Sequence, residues 1–191
     1  MGKKKLQDAK ERLGNSKAKP VLLWVFEILV VLFFAAVVAI FFFQSVTMRE
    51  NSMEPTLSTG DKMFMNRLAY KLSGPNRGDI IVFKTNGNED AALHIKRVIG
   101  MPGETIQIKD GQILIDGETY KEGKDFPSIS NAGVAADPVS LGSGEYFVLG
   151  DNRNNSEDSR YGDIGKVQKK YIVGKVWFVF SPVSKLGFLR S

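Results

Sequence analysis

An uninterrupted apolar run near the N-terminus separates a polar tail from a long segment of mixed composition. The run, residues 21–43, contains a single charged side chain, Glu27. A helix of this length is about 35 Å long, which is enough to cross the hydrocarbon core of a bilayer. A cleaved signal peptide fits less well, because the run is longer than an h-region and no small-x-small site follows it. The pattern predicts one N-terminal transmembrane helix over residues 21–43.

Beyond the apolar run, short strand-like segments alternate with turn signals, and no long helical periodicity occurs. The predicted strands are 62–65, 79–84, 93–99, 105–109, 112–115, 145–149 and 172–180. Asp110-Gly111 is a strong two-residue hairpin signal, and strand alternation places four isoleucines on the inner face of that hairpin. These are Ile106, Ile108, Ile113 and Ile115. The pattern predicts a mainly β domain of coiled-sheet or barrel-like type.

These patterns divide the chain into three parts. Residues 1–20 form a basic tail, residues 21–43 the transmembrane helix, and residues 44–191 one domain, in which residues 117–144 are a polar, glycine-rich insertion. The tail carries seven Lys or Arg and two Asp or Glu, and because the whole chain has a net charge of +5, the remainder is neutral overall. The positive-inside rule predicts a cytoplasmic N-terminus and an extracytoplasmic domain. No nucleic-acid surface is expected, since that requires a basic patch on the folded part.

Two scarce residue types exclude several kinds of site. The chain has no cysteine and one histidine, His94. Without cysteine there is no thiol nucleophile, disulfide or thiolate metal site, and a single histidine cannot build a multi-histidine metal site.

The candidate nucleophile is Ser52, which lies nine residues beyond the apolar run. Nine extended residues span at most about 30 Å, so Ser52 should act close to a bilayer. A serine hydroxyl needs a base, and the segment 93–99 offers two candidates, His94 and Lys96, on one face of a predicted strand. Lysine can serve if apolar surroundings remove its charge. Taken alone, such a lysine is more often a surface residue, and such a serine a turn residue.

A dense polar segment, residues 150–160, follows the predicted strand 145–149. A solvated turn held by Asx hydrogen bonds is the plain interpretation. The segment also offers Asp158 and Arg160 as an ion pair, and Ser156 as a hydroxyl that could fix the direction of an amine.

Four segments, taken in order, resemble the bacterial membrane-bound type I signal peptidases, the Gram-positive members in particular. They are the nucleophile segment Asn51-Ser-Met-Glu-Pro-Thr-Leu57, the structural strand 77–83, the general-base segment 96–104 and the last segment, 150–160. Any one of them is only suggestive, but all four in order behind an N-terminal anchor form a very specific pattern. The resemblance covers nearly the whole chain and implies two antiparallel sheets, a Ser-Lys dyad and no metal or cofactor.

The resemblance also implies residue roles. Ser52 would attack the scissile carbonyl, Lys96 would be the general base, and Ser156 would orient the lysine amine. The resemblance further implies two supporting ion pairs, Asp158 with Arg160 and Asp151 with Arg97, and a shallow substrate pocket lined by Met48, Leu57 and Ile95. A small pocket would select Ala-x-Ala-like cleavage sites.

One residue departs from the family pattern. Two positions before the nucleophile, Gram-negative members place a serine that completes the oxyanion hole and Gram-positive members often place glycine, whereas this chain has Glu50. A carboxylate beside a developing oxyanion would be repulsive, so we expect the Glu50 side chain to turn away from the site.

The resulting hypothesis is a serine endopeptidase that removes signal peptides from exported preproteins at the outer face of the cytoplasmic membrane. Its expected partners are secretory preproteins, the lipid bilayer and, by proximity, the secretion translocon. Two alternatives compete with this hypothesis. A self-cleaving Ser-Lys protease of the repressor type would bring a DNA-binding helical domain, and no such pattern occurs in the sequence. A non-enzymatic membrane-anchored β binding module would leave Lys96 as an ordinary solvent-exposed amine.

Overall fold

The computed structural model describes residues 18–42, 44–71, 73–85 and 92–189, and these divide into two units near Ile40. The first is helix α1, Ala18–Phe42, predicted as 21–43. Its segment Lys19–Ile40 has a mean hydropathy of 2.9 and is long and apolar enough to cross a membrane. Most of the leucine, valine and phenylalanine side chains described along it are exposed, unlike those of a core helix. The predicted basic tail lies, up to residue 17, outside the described residues.

The second unit is mainly β, and its strands are all paired antiparallel. Twelve strands occur in the described residues: β1 (Gln44–Thr47), β2 (Lys62–Asn66), β3 (Ile80–Lys84), β4 (Leu93–Gly100), β5 (Thr105–Lys109), β6 (Gln112–Ile115), β7 (Glu118–Thr119), β8 (Val139–Ser140), β9 (Glu145–Leu149), β10 (Val167–Gln168), β11 (Ile172–Ser181) and β12 (Gly187–Phe188). Short 3-10 helices span Gly133–Ala136, Lys169–Tyr171 and Val183–Lys185. The predicted two-sheet, antiparallel fold class is confirmed.

The larger sheet has the strand order β1-β2-β11-β3-β4-β9-β10, with β12 added to β11. β4 lies between β3 and β9, so its backbone is hydrogen-bonded on both sides and its side chains are fixed in direction. In this register Lys96 is opposite Ile81, and Arg97 is opposite both Ile80 and Leu149. The antiparallel pair β1–β2 flanks the loop that carries Ser52.

The smaller sheet has the order β7-β6-β5-β8 and is built on the predicted hairpin. Asp110 and Gly111 have φ values of 52° and 75°, as the two central residues of a type I′ turn require. The register pairs Ile106 with Ile115 and Ile108 with Ile113, so the four isoleucines share one face as predicted. They pack in a core cluster with Ile99, Phe147 and Leu149 of the larger sheet.

The predicted insertion, residues 117–144, is more ordered than its polar composition suggested. It contains β7, β8 and one 3-10 helix, and it packs on the β5–β6 hairpin. Ala135 and Leu141 from the insertion are buried in the same cluster as the hairpin isoleucines. The insertion therefore supplies the two outer strands of the smaller sheet and part of its core.

Candidate active site

Strand β4 brings Lys96 to the serine of the β1–β2 loop. The Lys96 Nζ atom donates a hydrogen bond of 2.7 Å to Ser52 Oγ, across 44 positions of sequence. Lys96 has no exposed surface, and Ser52 is 3% exposed. The β1–β2 loop is fixed in turn by the 150–160 segment, because the Asn152 backbone N–H donates to the Ser52 carbonyl oxygen at 3.0 Å. A buried amine against a serine hydroxyl is the arrangement that a Ser-Lys nucleophile needs.

The Glu50 carboxylate faces the same two groups. Its Oε2 atom accepts hydrogen bonds from Lys96 Nζ at 2.7 Å and from Ser52 Oγ at 3.1 Å. Its Oε1 atom lies 3.4 Å from His94 Nδ1, which is an ion-pair distance and longer than a good hydrogen bond. The expectation that Glu50 turns away is therefore wrong for this structure. The attraction of the Glu50 carboxylate to the buried Lys96 amine and the His94 ring outweighs the hydration that the carboxylate would gain by turning towards solvent.

These contacts lower the pKa of Glu50 to about 2. The contact with the His94 ring is the largest cause; hydrogen bonding and charge from Lys96 add to it, and partial burial opposes it. The carboxylate therefore stays charged at every pH at which a lysine could act as a base. Because its pKa is lowered in the folded state, the stabilisation it provides is present above about pH 4.5 and is lost as the pH falls towards 2.

Ser156 lies next to the nucleophile but makes no bond to the amine. Its Oγ atom is buried and has no hydrogen-bond partner among the described residues. Lys96 Nζ instead bonds to Glu50 and Ser52. The orienting role of Ser156 stays a prediction.

The two predicted ion pairs are formed and buried. Arg160 Nε and Asp158 Oδ1 are 2.8 Å apart, with a second bond from Arg160 Nη2 to Asp158 Oδ2 at 2.8 Å. Arg97 makes the same two-bond contact to Asp151, with both distances 2.7 Å. Asp158 Oδ2 also accepts the Gly150 backbone N–H at 3.1 Å, so the first pair holds the start of the 150–160 segment. The second pair joins β4 to that segment directly.

The three residues predicted to line a substrate pocket lie in the core instead of on an open surface. Met48, Leu57 and Ile95 are buried in one cluster with Met53 and Met63. The open cavity beside Ser52, about 460 Å³ in volume, is lined by other residues. They are Glu50, Asn51, Ser52, Asn154, Asn155, Ser156, Glu157, Tyr161, Asp163 and Ile164. Pocket roles for Met48, Leu57 and Ile95 stay a prediction.

Arg153 is a structural residue of the site that the sequence did not single out. Its side chain is buried, donates from Nε to the Gly150 carbonyl oxygen at 3.1 Å, and pairs with Glu122 of the insertion. Its guanidinium lies 4.2 Å from the centre of the Phe126 ring. In a run of asparagine and serine, one arginine looks like any solvated loop residue. Its side-chain partners Glu122 and Phe126 are distant in the sequence, so no local signal marks it.

Replacing Gly150 with alanine is expected to impair the site. A methyl group at this position would overlap Ser156 Oγ and the Ser52 carbonyl oxygen. Forcing the two loops apart should cost about 1–3 kcal/mol of stability and separate Ser52 from Lys96. Preprotein cleavage should fall more than about tenfold, which corresponds to about 1.4 kcal/mol of activation free energy.

Gly123→Ala is the matched control, because nothing lies within 4 Å of its added methyl group. Thermal unfolding and substrate cleavage should both be near wild type in this variant. A Gly150→Ala protein with wild-type activity would show that the close approach of Gly150 to the Ser52 carbonyl oxygen is not needed for activity.

The described residues contain no group of three or more His, Cys, Asp or Glu side chains that could hold a metal ion. What this part of the chain does bring together is a hydroxyl, an amine and a carboxylate within 3.1 Å of one another.

Similar proteins of known function match this chain over most of its length. The family described as "Signal peptidase, peptidase S26" matches residues 21–181. Signal peptidase I P of Bacillus subtilis subsp. natto is 34% identical over 177 residues, which are 89% of this chain and 94% of that protein. Signal peptidase IB of Staphylococcus aureus (strain MRSA252) is 33% identical over an alignment of 192 positions, which covers 89% of this chain and 94% of that protein. A solved signal peptidase I from Enterococcus faecalis V583 is 30% identical, with a TM-score of 0.41, and the match covers 53% of this chain and 95% of that one.

Proposed function

The chain belongs to the signal peptidase family, peptidase S26, and we infer from this that it is a serine endopeptidase that removes N-terminal signal peptides from preproteins. The observation that supports the assignment of the residues most strongly is the 2.7 Å hydrogen bond between buried Lys96 Nζ and Ser52 Oγ. A non-enzymatic binding module would have no reason to bury an amine against a hydroxyl.

In the proposed reaction Ser52 Oγ attacks the carbonyl carbon of the scissile peptide bond. Neutral Lys96 takes the hydroxyl proton as general base and then gives it to the leaving amine, which leaves an acyl-enzyme on Ser52. The developing oxyanion would be met by the backbone N–H of Ser52, a donor worth about 3 kcal/mol when aligned. Lys96 then activates a water molecule, which hydrolyses the ester and restores Ser52.

The proposed location is the outer face of the cytoplasmic membrane. Helix α1 would be the single membrane span, and the basic tail before it would lie in the cytoplasm. Ser52 lies ten residues beyond Phe42, so the chain allows at most about 35 Å between the end of the helix and the nucleophile. Preproteins would be delivered by the secretion translocon. The apolar segments of their signal peptides would lie in the same bilayer, so their cleavage sites would emerge close to Ser52. Selection of small residues at these sites would fall to Met48, Leu57 and Ile95.

The direct test uses the purified full chain in detergent, with a preprotein that carries its signal peptide. We expect one cut at the carboxyl end of the signal peptide, identified by intact mass, and no cut in the mature form of the same protein. A preprotein left intact, with the enzyme cleaved instead at one internal site, would support the self-cleaving alternative and overturn the proposal.

A further inference from the structure

Four side chains form a continuous line of contacts that ends at the nucleophile. His94 Nδ1 lies 3.4 Å from Glu50 Oε1, Glu50 Oε2 lies 2.7 Å from Lys96 Nζ, and Lys96 Nζ lies 2.7 Å from Ser52 Oγ. His94 and Lys96 belong to the same strand, β4, and project to the same face of it, so both can reach one carboxylate. The His94 ring is further fixed by stacking on Phe83, with 5.6 Å between ring centres.

The amine of Lys96 needs a partner that fixes its direction. An ammonium has three N–H donors, and a free amine has a lone pair that must point at the serine hydroxyl. Ser156 lies close by, yet its hydroxyl is without a hydrogen-bond partner in the described part of the chain. The only acceptor other than Ser52 that bonds Lys96 Nζ there is the Glu50 carboxylate.

We propose that Glu50 is the positioning residue for the Lys96 amine, held in place by His94, and that its negative charge sets the pH at which the enzyme becomes active. This inference rests on the proposed peptidase function and adds Glu50 and His94 to it. Glu50 acts through Lys96, in the way that the carboxylate of a Ser-His-Asp triad acts through histidine.

The protons in this arrangement can be followed one at a time. In the resting site Lys96 is an ammonium that donates to both Glu50 Oε2 and Ser52 Oγ, and the Ser52 hydroxyl donates to Glu50 Oε2. As the pH rises, the ammonium releases one proton to water and keeps an N–H on Glu50. Its new lone pair then accepts from the Ser52 hydroxyl, which lets go of the carboxylate. A negative charge 2.7 Å from Nζ favours the ammonium over the free amine, so Glu50 opposes this release.

The other groups packed around this line do not supply a comparable charge. β3 places Ile81 and Phe83 opposite Lys96 and His94. The 150–160 segment brings Asp158, whose carboxylate is matched by Arg160, and the neutral Ser156. On β4 itself, Arg97 is matched by Asp151. Glu50 is therefore the carboxylate among the described residues whose removal should change the charge balance at Lys96.

The test is the pH dependence of kcat/KM for preprotein cleavage by full-length Glu50→Gln in detergent. The rise of kcat/KM with pH should move to lower pH, because a neutral amide no longer stabilises the ammonium. The plateau should also fall, since an amide holds the amine less firmly. Glu50→Asp keeps the charge and should leave the rise near its wild-type position. His94→Ala removes the ring that holds the Glu50 carboxylate but keeps the carboxylate itself. It should move the rise of kcat/KM to lower pH, as Glu50→Gln does, but by less.

Glu118→Gln is the charge-matched control, because Glu118 is exposed on β7 and its loss changes the net charge by the same amount. A Glu50→Gln profile that superimposes on the wild-type profile would overturn the inference, whatever its plateau. Wild-type inactivity, or activity that survives Ser52→Ala, would instead overturn the proposed function, so the two failures can be told apart.

The Glu50 side chain is 38% exposed, and thermal unfolding of Glu50→Gln and Glu50→Asp verifies that both variants are folded. If Glu50→Gln does not fold, an unshifted profile in His94→Ala overturns the inference.

Discussion

A Lys96→Ala enzyme is expected to lose preprotein cleavage by a factor of about 10⁴ or more, the range found when a member of a serine-protease triad is removed. Without the amine, Ser52 retains its place but has no base to accept its proton, and a neutral hydroxyl is a poor nucleophile. No hydrogen bond joins His94 to Ser52 in the described residues, and His94 Nδ1 lies against the Glu50 carboxylate, so we expect His94 not to substitute as the base.

Ser52→Ala should be equally inactive, and the double variant no worse than either single one. Residues that act as one unit fail together, so their effects do not add. This equality separates a dyad from two independently helpful groups. Initial rates measured by gel or mass analysis, at enzyme concentrations high enough to detect the residual reaction, are sufficient to compare the three variants.

Folding has to be controlled in this experiment, because Lys96 is completely buried. Lys96→Met keeps most of the side-chain volume without the amine, and we expect it to fold and to be as inactive as Lys96→Ala. Lys62→Ala removes an exposed lysine from strand β2 and should keep full activity. A Lys96→Met enzyme that cleaves at the wild-type rate would rule out Lys96 as the base.

The hairpin and the faces of β4 could be predicted because they depend on local chemistry. Asp110-Gly111 encodes its own turn, and alternation along β4 decides that His94 and Lys96 project together. β1, β10 and β12 were not predicted as strands. Each has two to four residues and is defined by its partner: β1 by β2, β10 by β9 and β12 by β11. Segments this short have no period of their own to detect.

The same distinction applies to the site. Ser52, Lys96 and the two ion pairs were expected through ordered segments that resemble a family, and the structure places each ion pair in contact. The prediction that Glu50 points away rests on its repulsion of an oxyanion, which is the only effect visible in the local sequence. The buried amine and the imidazole that attract it come from β4, more than 40 positions along the chain. Long-range pairings of this kind, like that of Arg153 with Glu122, follow from the fold and not from the local sequence.

Replacing Asp158 with asparagine is expected to destabilise the catalytic domain by about 3–5 kcal/mol, the cost of removing one partner from a buried ion pair. Asparagine has nearly the same shape, so the loss is one of charge: the Arg160 guanidinium would stay buried without its counterion. The Gly150 N–H would also face a weaker acceptor, which should loosen the segment that carries Ser156. Urea unfolding of the full chain in detergent, followed by circular dichroism, should show a lower midpoint with an unchanged slope.

Lys166→Ala is the matched control, because it breaks the exposed ion pair between Lys166 and Glu145, and it should cost less than about 1 kcal/mol. The double variant Asp158→Asn with Arg160→Gln should be less destabilised than the sum of the two single variants, since the second change removes the cation that the first one isolates. Strict additivity would mean that the two side chains contribute separately, in spite of their two 2.8 Å bonds. Coupling would instead identify the pair as one unit, whose role is to hold the 150–160 segment against the nucleophile loop.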